Sequence, residues 1–519
     1  MAASFNLLDE PWLPCAMLDG SAAELSLTDA LLHAHEIREL FDESPLVTVA
    51  LHRLLLAILH RNFGPAGVPE WFALWRRARW DETKLTPYFS RWRERFDLFH
   101  PKHPFYQVPE IENAGRLTAA TLFQELSAGN NPTLFDHTNE TAPPRFSPAQ
   151  AARGLVARQA FSVGFGKSKP FYFSDSPLLR GFSVLVTGDN LFETLALNFV
   201  RYNEENPIPR ASKREDLPVW EQEHRVQPRR EGSTPAGYLD YLTWQSRRIH
   251  LYPESESSAV QWCQLQQGLK LGDTAPLDPF KCYRKDKKLG FIPMAFREER
   301  ALWRDSHALF LTDESHQRPA VSNWIAQLAS APHVKSAGIR RAYSFAAFGL
   351  ATGEGKAASV TLWRHERLPL PVEYLENSDL LADLKRALDD AENAGTTLRQ
   401  CAWLLARALL TPPGAAGPQP RQDEIEPVAR GLAPERRFWP ALETPFLNLM
   451  TKLPCADASA REDERLRWRK ETVRPAAHKA FGAIVRDLDS GARELIAVAL
   501  AERAFRRKLR EGLESEETS

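Results

Sequence analysis

The chain has 519 residues, more than one hydrophobic core ordinarily serves, so its length points to two or more domains. With 43% hydrophobic and 26% charged residues it is too apolar for wholesale disorder. Its 66 Lys plus Arg are matched by 67 Asp plus Glu, which excludes the general basic excess of a protein that grips nucleic acid unaided and makes any such contact local.

From the N-terminus, Met1 to Glu10 lack a basic leader followed by an apolar stretch. No later run approaches the roughly 18 uninterrupted apolar residues of a membrane span, so a cytoplasmic protein without membrane contact is expected. Asp42 to His60 reads as a capped core helix, because acidic, Ser and Pro residues precede an almost wholly apolar stretch. His52 and His60 stand two turns apart on it, too far to share a metal, and are expected to be satisfied core or surface histidines. Trp71 to Trp80 and Phe89 to Phe99 interleave aromatics with arginines in a helical rhythm that packing with snorkelled arginines explains.

Between Leu117 and Pro144 turn formers surround one Leu-Phe pair, which predicts a long loop of the kind that usually binds something or is disordered. A charged, proline-containing stretch from Asn206 to Pro235 suggests a second excursion, whereas Phe182 to Val186 and Arg248 to Tyr252 read as strands. Beyond Pro369 the character changes. Asn377-Ser-Asp opens a long leucine-rich helical segment, Pro412 to Pro418 ends it as a connector, and further helical patterns run over 436–453, 464–488 and 492–513. Pro475 predicts a kink or a later start for the pattern over 464–488. The expected architecture is α+β: a large mixed α/β N-terminal domain over 1–374, followed by a C-terminal four-helix bundle over 375–519.

Catalytic signatures are missing. Gly166-Lys-Ser lacks the glycine five residues earlier that a phosphate-binding P-loop needs, and Gly355-Lys-Ala lacks the hydroxyl that binds magnesium. No H-E-x-x-H, G-x-S-x-G or carboxylate cluster suited to two metals is present, and the five cysteines form no C-x-x-C pair. No catalytic residue, cofactor or metal is therefore expected. Three loops remain: Gly164-Phe-Gly-Lys-Ser-Lys, where bare backbone and two lysines can approach a ligand; the basic stretch Lys281 to Lys288; and Gly353-Glu-Gly-Lys. Ordinary turns or a solvated hairpin tip account for the same residues.

Together, Phe5-Asn-Leu-Leu-Asp-Glu-Pro-Trp-Leu-Pro, His103-Pro-Phe-Tyr-Gln-Val, Phe135 in its loop, Gly164-Phe-Gly and Trp363-Arg-His resemble, in order, the CasA family, the large subunit of the type I-E CRISPR Cascade complex. The resemblance covers essentially the whole chain. It implies a guide-RNA and subunit anchor at Leu134, Phe135, Asp136 and His137. It also implies a glycine loop at Gly164, Phe165, Gly166 and Lys167 that enters the minor groove of the protospacer-adjacent motif, a groove lysine at Lys270, and a wedge at Gly355, Lys356 and Ala357. Implied partners are the backbone, small and guide-handle-binding Cascade subunits, the CRISPR guide RNA, double-stranded target DNA and a helicase-nuclease, with antiviral defence as the setting. Some relatives carry cysteines suited to zinc, which this chain lacks. The rival readings are a standalone nucleic-acid-processing enzyme using His103 and His137, or a structural adaptor without DNA contact.

Overall fold

The hydroxyl of Ser44 accepts the Val47 amide at 3.3 Å and Pro45 fills the first helical turn, so the apolar run begins as helix Pro45–Phe63. In this computed structural model, which describes residues 3–109, 111–112, 114–126, 143–164, 166, 168, 171–201, 215–223, 226–228, 230–272, 277–336, 342–352, 360–411, 419–488 and 491–514, that helix is buried at every position from Leu46 to Leu59. A helix apolar on all faces has to be enclosed. By length and composition it is also apolar enough to cross a membrane, but 83% of the apolar window lies inside the fold. His52 Nδ1 donates to the Thr48 carbonyl at 2.8 Å, and His60 packs between the rings of Phe199 and Tyr238, so both are core histidines.

Packing divides the chain into two units, Met1–Leu302 with Leu311–Leu370, and Trp303–Phe310 with Pro371–Ser519. In the first, the aromatic and arginine stretches form helices Val68–Trp75 and Glu82–Trp92 and a 3-10 turn at Arg93–Phe96. The expected helix to Trp80 stops early, because Ala78 turns left-handed at φ 54° and Asp81 caps the next helix. Trp71, Trp80, Phe89 and Phe96 are buried while Arg76, Arg77, Arg79 and Arg91 are exposed.

Among the described residues this unit holds four three-stranded sheets. Leu13–Met17 lies between Ala22–Leu25 and Ile37–Leu40, and Tyr283–Asp286 between Gly290–Pro293 and His316–Gln317. Ala342–Thr352 lies between Val360–Pro371 and Ser183–Thr187. Val260–Gln267 lies between Leu117–Thr118 and Arg247–Pro253, with Arg247 opposite Gln267 in antiparallel register. The long strand at 342–352 escaped the sequence reading because it is covered on both faces, so its pattern does not alternate.

The second unit is helical. Asn377 accepts the Asp379 and Leu380 amides and opens helix Ser378–Leu410, whose buried stripe runs through Leu380, Leu384, Leu388 and Ala391. Against it pack Glu435–Lys452, Ala492–Glu514 and a third helical run, giving the expected four-helix bundle. A short helix at Gln422–Leu432, missed from sequence, also packs on the first. The third run starts at Ala458, earlier than expected. It passes through a π-helical turn at Trp468–Val473 into Arg474–Arg486, and the widened turn just before Pro475 accommodates the missing N–H without ending the helix. Asp383 is surrounded by Arg461, Arg465 and Arg386 at 2.8, 3.1 and 3.2 Å, and Asp390 meets Arg469 at 3.2 Å.

Candidate nucleic-acid interface

Ser147 and Gln150 form a capping box at the start of helix Pro148–Phe161, which delivers the chain to the glycine loop. The chain leaves the helix at Ser162, whose carbonyl accepts the Ser176 amide at 2.9 Å, so the loop departs from and returns to one point. Its two glycines have different roles. The Gly164 amide donates to Asp175 Oδ1 at 2.7 Å, and a Cβ there would lie 2.5 Å from the Asp175 nitrogen and 2.8 Å from the Ser174 carbonyl carbon. Gly164 is thus required for the loop to close on itself. Gly166 is exposed, with φ of +101° and only Phe173 within 4 Å of a would-be Cβ, and it is the glycine that offers bare backbone to the outside.

Beneath the loop the Arg247 side chain is fully buried. Its Nη2 donates to the carbonyls of Val163 at 3.0 Å and Ser174 at 2.7 Å, and its Nη1 to Ser246 at 2.9 Å. Phe173 stacks its ring 4.9 Å from the guanidinium carbon. Burial holds this guanidinium well below its ordinary pKa, the neighbouring Arg158 pushes it further, and Asp175 opposes both. Gln267 completes the floor: its side chain accepts the Ser174 amide and donates to Ser174 Oγ, while its own amide donates to Ser168 Oγ at 2.9 Å. Arg247, Asp175 and Gln267 were missed from sequence. The available signal was register, since Arg247 shares the inward face of its strand with Ile249 and Leu251, an unusual place for arginine.

Lys270 follows Gln267 by three residues, is half-buried, and is fixed through its carbonyl, which accepts the Ser233 amide at 2.8 Å. The fold therefore joins the base of the glycine loop and the lysine segment through one strand end. The basic stretch at 281–288 divides. Lys281 is buried, donates to the Pro177 and Arg180 carbonyls, and is lowered to about 8 by desolvation, so it belongs to the core. Arg284, Lys285, Lys287 and Lys288 are outward-facing on the Tyr283–Asp286 and Gly290–Pro293 hairpin and its tip. Phe165, Lys167, Leu134, Phe135, Asp136, His137, Gly355, Lys356 and Ala357 lie outside the described residues; the last three fall between the paired strands 342–352 and 360–371.

His103 is exposed and lines a cavity of about 420 Å³ with Arg95, Lys102 and Tyr106. Partial burial and the charge of Arg95 lower its pKa, and among the described residues no carboxylate orients its ring as a catalytic base requires. No cluster of three or more metal-ligating side chains occurs among the described residues. Several motif residues are structural: Trp12 is buried with its indole N–H on the Leu7 carbonyl, Phe105 is buried, and Gln107 donates to Leu98 and accepts from the Leu251 amide.

Residues 6–479 match the model of the family described as CRISPR-associated protein Cse1. A CRISPR-associated protein CasA/Cse1 of Thermus thermophilus is 33% identical, with 98% of this chain and 97% of that protein aligned. The crystal structure of Thermus thermophilus CasA superposes with a TM-score of 0.81 at 29% identity, covering 98% of this chain and 100% of the other. A chain of a CRISPR RNA-guided surveillance complex shares the fold, with a TM-score of 0.75 at 21% identity over 97% and 99% of the two chains. The chain therefore belongs to the family of CRISPR-associated Cse1, or CasA, proteins.

Proposed function

We propose that this subunit, without catalysis of its own, recognises the protospacer-adjacent motif in duplex DNA, nucleates target unwinding and helps recruit the helicase-nuclease in antiviral defence. The observation that carries the reading is Gly166, an exposed left-handed glycine on a loop whose ends are fastened to the fold, beside the strand end that leads to Lys270. Minor-groove edges display few distinguishing groups, so backbone and one lysine select a small set of motifs rather than one sequence. Gly355, Lys356 and Ala357 act as the wedge, and guide pairing propagates the opening without ATP. Leu134 to His137 anchor the subunit to guide RNA and neighbouring Cascade subunits, with Phe135 suited to stack on a base. The domain at 1–374 carries these contacts, the bundle at 375–519 meets the small subunit and the helicase-nuclease, and the setting is the cytoplasm.

The test uses the assembled complex. Gly166→Asp places a carboxylate where the groove would lie, and target-duplex binding in a gel-shift titration is expected to be lost while co-elution with the other subunits persists. Unchanged affinity would overturn the reading. The double Gly164→Asp, Gly166→Asp variant is expected to do the same, but it also breaks the packing of Gly164 on Asp175, which makes the single variant the cleaner probe.

A further inference from the structure

A guanidinium taken from water costs several kcal/mol unless a carboxylate or a full set of acceptors receives it. Arg247 has no exposed surface, and Asp175, the acid that acts on it, is committed elsewhere: one oxygen takes the Gly164 amide and the other takes Arg180 Nε at 2.7 Å. Arg247 is left with neutral oxygens, those of Val163, Ser174 and Ser246 and, at 3.4 Å, the Gln267 amide, while its Nε has no partner among the described residues. Arg158 lies near enough to repel it. Packing alone would be better served by an apolar side chain of similar volume. What the arginine adds is geometry, because a planar fork can hold two carbonyls at once and a flexible ammonium holds them less rigidly. The two carbonyls on Nη2 belong to the two ends of the glycine loop.

We infer that Arg247 is a positioning residue for motif recognition: by tying Val163 to Ser174 it holds the loop that presents Gly166 in one conformation, and Gln267 carries that register on toward Lys270. The inference rests on the loop being the motif reader. Arg247 itself is out of reach of any DNA, so it governs discrimination between motifs and not the general attraction of the complex for duplex.

The experiment compares complexes carrying wild-type chain, Arg247→Met and Arg247→Lys. Each is offered a pool of target duplexes randomised beside the guide-matched segment, and hydrogen exchange is followed at the amides of Gly164, Phe173 and Ser174. Arg247→Met is expected to speed exchange at those amides about tenfold or more while helix Ser378–Leu410 stays unchanged. It is also expected to flatten the enrichment of favoured motifs by about tenfold, with average affinity for the pool nearly kept. Arg247→Lys, which keeps the charge and loses the fork, falls between and carries the same two readouts if Arg247→Met does not assemble. Full motif enrichment in a variant whose loop amides exchange faster overturns the inference, as does unaltered exchange. Flat enrichment in the wild-type complex would instead remove the motif-reading function and the recognition half of the inference with it; the exchange rates then decide whether Arg247 holds the loop.

Discussion

In the helical unit Arg461 and Arg465 converge on Asp383 and Arg469 meets Asp390, whereas beneath the 163–175 loop Arg247 donates only to carbonyl and amide oxygens. The contrast is local to the loop, since in the same unit the buried Arg53 does have an acid, Asp278 at 3.0 Å. Where a buried cation meets a carboxylate, the arrangement fixes which segments of the chain pack together. Where it meets only main-chain oxygens, it fixes a backbone path. His60 is a third case: burial drives its pKa down to about 3, so it stays neutral and needs no counter-charge.

The largest effect should come from removing the shared acid. Asp383→Ala takes the acid from Arg461 and leaves Arg465 with the exposed Glu462 alone, and about 3 kcal/mol of stability is expected to be lost in chemical denaturation. A loss under about 1 kcal/mol would mean that water already compensates the cluster and that the contrast with Arg247 is weaker than drawn.

Next comes pH. Because the folded His60 value lies below its unfolded one, the unfolded chain takes up the proton first as pH falls. Stability is therefore fully present above about 6.5 and declines toward pH 3, on the order of a few kcal/mol in total. His60→Phe should reduce that slope between pH 6.5 and 3, measured as denaturation midpoint against pH; an unchanged slope would assign the acid lability to other groups.

The two glycines sharpen the comparison at smaller scale. Gly164→Ala forces a Cβ to within 2.8 Å of backbone at Ser174 and Asp175, so the loop must shift, at about 1–3 kcal/mol. Gly166→Ala has open space and only the left-handed backbone to overcome, about 1 kcal/mol or slightly more. Thermal melting of the two variants should therefore separate them in that order. Equal losses would show that the loop is not closed through Asp175.

The sequence made the broad architecture legible through period and punctuation. The apolar run after Ser44, the leucine stripe after Asn377 and the helical rhythm over 436–453 all appear within a few residues of where they were read. What escaped was structure whose signal is not periodic. Ala342–Thr352 is covered on both faces, and Gln422–Leu432 follows a proline-rich connector and buries little beyond Ile425. At the candidate interface the glycines could be read and their division of labour could not, because that depends on Asp175 and Arg247, which come from other segments of the chain. Lys281 illustrates the opposite error: a lysine in a basic stretch looks like surface, but its neighbours Cys282 and Tyr283 enter the core and take it with them.

The π-helical turn at Trp468–Val473 gives the third helical run of the bundle one residue more than a regular helix of the same rise would hold. The widened turn absorbs that surplus, so the residues beyond it keep their phase: Phe481 stacks on Phe505 with ring centres 4.5 Å apart, and Ile484 is buried. Deleting a single residue from the turn would restore ideal winding and leave Phe481 and Ile484 on the same face, whereas deleting one from the regular helix between Arg474 and Phe481 would swing the residues beyond it by about 100° around the axis. The turn is therefore the place in this run where a one-residue change in length disturbs the packing least, and chains of this architecture are expected to differ by a single residue here while holding the count constant in the regular helix on either side.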